Sequence, residues 1–160
     1  MASQQQCEFI TLLHQWAVNH WKEAEIVERG DLLTLRMMPS LYTDGTAPVL
    51  MEICLLEYSD DISVVQIYTT IFPKPEPGLA ELRAKLPEWN FTSLAGAYGI
   101  YEQQGQLYHK QNVAVITGAG ADEQIDTVLP AICMAMDEMA RRLPEALELS
   151  SGFGNTPDQK

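Results

Sequence analysis

Positive charge is scarce in this chain of 160 residues. Ten lysines and arginines stand against 22 aspartates and glutamates, a formal net charge of −12. A surface of that sign repels DNA, RNA and anionic lipid, so nucleic acid and membrane surfaces are poor partners. A basic protein segment would be drawn to it. Cysteine is scarce too: Cys7, Cys54 and Cys133 are odd in number, far apart and without paired spacing. That argues against a disulfide framework or a zinc site and predicts reduced, buried thiols. No window is apolar for long enough to span a bilayer. The opening Met-Ala-Ser-Gln-Gln-Gln lacks the basic flank and apolar run of a signal peptide. The expected compartment is the cytosol.

Catalytic motifs are missing as well. There is no Gly-x-Ser-x-Gly, no Cys-x-x-Cys and no His-Glu-x-x-His. From Val113 to Asp126 a strand, Gly118-Ala119-Gly120 and a helix start imitate a phosphate cradle. Asp122 and Glu123 in the first turn suit the helix dipole but would repel a pyrophosphate. His14 lies seven residues from Cys7, two helical turns or roughly 10 Å, too far for one ion. His109 falls mid-strand and reads as paired across a sheet. Glu57, Asp60 and Asp61 cluster at a hairpin without calcium-loop spacing and read as a solvated turn. Arg29-Gly30-Asp31 and the sequon Asn90-Phe91-Thr92 carry no meaning in a cytosolic chain. No catalytic residue, cofactor site or metal site is expected.

What the chain does have is amphipathic order. From Ala121 to about Leu149, Ile125, Val128, Leu129, Ile132, Met136, Met139, Leu143 and Leu147 fall on one helical arc, with Cys133 read as a small core residue beside them. Glu123, Asp126, Asp137, Arg141 and Glu148 fall opposite. Burying about a dozen apolar side chains there is worth ~20 kcal/mol gross. Pro130 and Pro144 sit on the polar side or edge of this helix and bend it convex toward water. A first helix runs from about Ser3 to Trp21, with Phe9, Ile10, Leu12, Leu13, Trp16, Ala17 and Trp21 on one face. His20 falls on its apolar arc near the C-terminus.

Between these helices lie strands. Glu25–Arg29 and Leu32–Met38 turn at Gly30-Asp31; Val49–Tyr58 and Ile62–Phe72 follow a loop over Pro39–Ala47. Pro73, Pro75 and Pro77 stiffen a connector into a short helix, Leu79–Leu86, which Pro87 stops. A hairpin, Ala97–Glu102 and Leu107–Thr117, precedes the last helix. Tyr58, Tyr68, Tyr98, Tyr101 and Tyr108 are expected to pack under helices; the alternative is a partner-binding sheet face. Residues 1–150 read as one domain and 151–160 as a disordered tail. The fold class is α+β: a mostly antiparallel sheet in helix, strands, helix, hairpin, helix order, with the helices on one face.

From Leu86 to Val115 the chain reads LPEWNFTSLAGAYGIYEQQGQLYHKQNVAV. An Asn follows a short helix, Tyr98 and Ile100 lie on an aromatic-x-apolar strand, Gly105 makes a turn, and Leu107-Tyr108-x-Lys110 leads to the long helix. This resembles the YbjN-like families, which share their fold with class I type III secretion chaperones, and a small cyanobacterial family near that group. The resemblance implies a small acidic α+β domain, often a homodimer, without catalytic residues. The extra strand before the proline connector departs from the shortest chaperone pattern and bears on the dimer mode.

Two functions follow. The first is a non-catalytic cytosolic protein, a homodimer, that binds another polypeptide through apolar surface on a helix or sheet edge, in a chaperone-like or regulatory role. The second is an enzyme or small-molecule binder with a pocket between sheet and helices, for which His20, Tyr98 and Glu52 are candidates by residue type.

Overall fold

The computed structural model describes residues 1–21, 23–72 and 78–150. The proline connector and the tail over 151–160 lie outside the described residues. Among the described residues, three helices and six strands follow in the order α1 (Gln4–His20), β1 (Ala24–Arg29), β2 (Leu32–Met37), β3 (Leu50–Glu57), β4 (Ile62–Phe72), α2 (Leu79–Thr92), β5 (Ala97–Tyr101), β6 (Gln106–Ile116) and α3 (Ala121–Ser150). Every pairing is antiparallel, in the spatial order β1-β2-β3-β4-β6-β5. The protein is α+β.

Local chemistry starts each element. Ser3 caps α1, its hydroxyl accepting from the Gln6 N–H while the Gln6 side chain accepts from the Ser3 N–H, a reciprocal capping box. Gly30 and Gly105 supply the left-handed conformation of the β1–β2 and β5–β6 hairpin turns. The strands alternate. Met51, Ile53 and Leu55 of β3 and Val65 and Ile67 of β4 are buried against the helices. Phe9, Ile10, Leu13 and Ala17 of α1 and Val128, Ile132, Ala135 and Met139 of α3 complete that core. α1 lies over β1, β2 and β3, α3 over β6, and α2 against β5 and α3. All three helices cover one face of the sheet.

Several expectations change. Pro87 does not stop α2; the helix runs through it to Thr92. The proline removes one backbone bond. The next turn carries Trp89, fully buried, its ring edge-on to Tyr98 at 5.4 Å and its indole N–H donating to Glu145 at 2.9 Å. That tertiary contact outweighs the missing bond. Cys7 and Cys133 are exposed and only Cys54 is buried. Cys133 follows Ile132, turned 100° off the buried stripe. Leu147 is 47% exposed while Ala146 faces inward, so the stripe shifts to the smaller residue where α3 nears its end. Pro130 and Pro144 are both exposed, as expected.

Gly96 fixes the approach to β5. Its φ is +71°, and a Cβ there would lie 2.5 Å from the Lys110 carbonyl oxygen and 2.7 Å from the His109 ring. Gly96→Ala is expected to destabilise the fold by about 1–3 kcal/mol or more in urea unfolding. Gly118→Ala, where a Cβ meets nothing, is expected to stay within about 0.5 kcal/mol of wild type.

Candidate functional site

His20, Tyr98 and Glu52 do not converge. His20 is exposed at the C-terminus of α1, stacked on Trp16 at 4.3 Å, with Nδ1 at 2.8 Å from the Trp16 carbonyl. The helix has passed its last buried residue, Ala17, so the apolar arc has nothing left to cover. Glu52 points from β3 to the opposite face of the sheet. There it joins Arg29 at 2.8 Å and Arg36 at 3.3 Å, while Arg36 also reaches Glu25 at 3.4 Å. Its role is to balance charge across three strands, each surface pair contributing about 1 kcal/mol or less. Tyr98 is buried on the edge strand β5.

Around Tyr98 the fold assembles a polar cluster that the sequence does not reveal. Thr69, His109 and Tyr98 lie in one cross-strand row on the helix-covered face. The Tyr98 and His109 rings meet edge-on at 4.9 Å. His109 is fully buried, and its Nε2 faces the Ala95 carbonyl at 2.5 Å. A carbonyl only accepts, so Nε2 carries a proton; burial disfavours a second proton on Nδ1 and keeps the ring neutral near pH 7. Asn90 clamps β5 from α2: its Oδ1 accepts from the Tyr98 N–H at 2.6 Å and its Nδ2 donates to the Tyr98 carbonyl at 3.0 Å. Glu138 of α3, 2% exposed, is held by Arg141 at 3.0 Å and Arg142 at 3.2 Å. The sequon therefore marks a structural clamp. Glu138 was hidden because its acidic neighbours on α3 face water.

Burial raises the Tyr98 phenol well above its usual range and keeps it protonated. Burial also lowers the His109 pKa, outweighing the Ala95 hydrogen bond and the Glu138 charge, which act the other way. The cluster ties α2, β5, β6 and α3 together, and its His and Tyr are closed to an outside substrate.

The other face of the sheet is open, with no described residue laid across it. Tyr68 and Tyr108 stack there at 4.9 Å with 25° between their planes. Tyr108 lies across Gly99, where a Cβ would come within 2.4 Å of its ring. Tyr101, Lys110 and Asn112 share this face, with Leu56, Val64 and Ala114 towards the β3–β4 turn. Tyr98 packs under the helices as expected; Tyr68, Tyr101 and Tyr108 do not, because strand alternation sends them to the uncovered side. A separate apolar cleft of about 300 Å³ lies at the edge of the helix layer, lined by Tyr42, Pro48, Phe72, Leu143 and Leu147 among others. No described helix is long and apolar enough to cross a membrane.

No protein-family model and no curated protein matches this chain. Among solved structures it is similar to the crystal structure of YbjN from E. coli. The two share 13% identity over 86% of this chain and 93% of that one, with a TM-score of 0.49.

The neutral His109 sets a pH dependence. An unfolded imidazole titrates near 6.5 and the native one lower, so the unfolded chain binds more protons as pH falls below 6.5. The stabilisation is complete above that pH and is lost progressively below it. Between about pH 7.5 and about pH 5.5, wild type is expected to lose more unfolding free energy than His109→Gln, by up to about 1 kcal/mol. Equal losses in urea titrations of the two proteins would refute the assignment.

Proposed function

We propose that this protein is a non-catalytic, cytosolic polypeptide-binding domain, chaperone-like or regulatory in role. One observation carries the reading: all three helices lie on one side of the sheet, and the other side presents stacked tyrosines and aliphatic residues to solvent. Large aromatic side chains held rigid on a sheet give contact area at low entropic cost, which suits binding another chain. The three polar residues offered for catalysis are dispersed, and the helix side of the sheet is filled by core side chains.

The reading includes a homodimer. Static light scattering at high micromolar concentration is expected to give twice 17.9 kDa; the monomer mass refutes that part. Affinity capture tests the partner. A protein recovered by wild type and lost by Tyr68→Ala/Tyr108→Ala is the expected result. Recovery of the bait alone, repeated with wild type, counts against polypeptide binding.

The cleft of about 300 Å³ beside Tyr42 and Leu143 favours a second reading, an apolar small-molecule binder. An environment-sensitive apolar dye displaced from wild type but not from Leu143→Trp by a small hydrophobic ligand would support it.

A further inference from the structure

At the turn end of the open sheet face the exposed apolar residues gather into one patch. Val64 pairs with Leu56 on one side and Ala114 on the other, and Ile62 pairs with Ile116 in the next row. The Tyr58 N–H donates to the Ile62 carbonyl at 3.2 Å, which brings that tyrosine to the same corner. Tyr58, Ile62 and Ile116 are 79%, 42% and 63% exposed. A β-branched pair and a tyrosine left this open are unusual for a lone domain surface.

The rim of the patch is acidic. Asp60 and Asp61 are exposed in the β3–β4 turn, and neither carboxylate forms an ion pair among the described residues. No lysine or arginine occurs between Arg36 and Lys74 or between Lys110 and Arg141. The charge here is unbalanced by its own strands. A second copy of the chain is a poor source of the missing cations. Among the described residues, every lysine and arginine but Lys110 is already in an intramolecular ion pair.

We infer that this corner is the docking site for a cationic, partly apolar segment of another polypeptide. The aliphatic residues and Tyr58 would cover its apolar side chains, and Asp60 and Asp61 would meet its lysines or arginines. This rests on the polypeptide-binding reading and gives that reading a place and a partner chemistry. Charge complementarity sets the direction and speed of encounter, and apolar burial holds the complex.

The test uses the full chain and a fluorescent amphipathic peptide of leucine and lysine, with a leucine–glutamate peptide as control, read by anisotropy at physiological salt. The leucine–lysine peptide is expected to bind wild type and the control peptide not to bind. Ile62→Ser/Ile116→Ser is expected to weaken binding at least about tenfold. Asp60→Asn/Asp61→Asn is expected to weaken it severalfold and to flatten its salt dependence. Phe91→Ser/Leu94→Ser, at an exposed apolar site elsewhere, is expected to leave it unchanged. Circular dichroism and melting confirm that each variant is folded. Binding that ignores both patch variants, equal binding of the two peptides, or a wild-type dimer that becomes a monomer with Ile116→Ser overturns the site. If the patch variants are inert while a captured partner still depends on Tyr68 and Tyr108, the docking corner is wrong and polypeptide binding stands.

Discussion

Burial of the α1 and α3 stripes on a single face of the sheet constrains every other part of the molecule. An antiparallel sheet has two faces, and strand alternation assigns half of its side chains to each. Once Phe9, Ile10, Leu13, Val128, Ile132, Ala135 and Met139 have taken one face, that side becomes core. The residues between them on β3, β4 and β6 are left to water or to a partner. The stacked Tyr68 and Tyr108 and the exposed Ile62 and Ile116 follow from this division.

The same constraint separates the two polar assemblies. On the open face Glu25, Arg36, Glu52 and Arg29 neutralise one another at the β1–β3 side, a shallow and solvated arrangement. On the covered face His109, Tyr98 and Glu138 are withdrawn from water, and Asn90 at the exposed margin clamps β5 to α2. A buried neutral imidazole with its Nε2 proton committed to a backbone carbonyl is suited to holding a fold. Gly96 belongs to that arrangement, because only a residue without Cβ lets the His109 ring lie so close to the chain.

Much of this was legible from the residues. The long α3, the apolar face of α1, the Gly30 and Gly105 hairpins and the bounds of β4 follow from periodicity and turn chemistry, which act over a few residues. Failures came where distant contacts decide. Pro87 reads as a stop, yet α2 continues because Trp89 is anchored against Tyr98 and Glu145. Cys133 reads as core by its place near an apolar arc, but the buried stripe is narrower than the arc. Asn90 reads as an idle sequon and proves to be a backbone clamp. Glu138 carries no signal at all, because a carboxylate on a helix is normally solvated, and its burial goes with the Arg141 and Arg142 contacts that hold it.

By itself the sequence determined the α+β class, the element order and the acidic surface, since hydrophobic period, turn residues and charge are properties of short stretches and of composition. Only the tertiary structure decided which sheet face is closed, which tyrosines face water, and that Thr69, His109 and Tyr98 stand in one row. Those facts depend on strand register and on which face the helices choose, and both are settled by contacts between residues far apart in the chain.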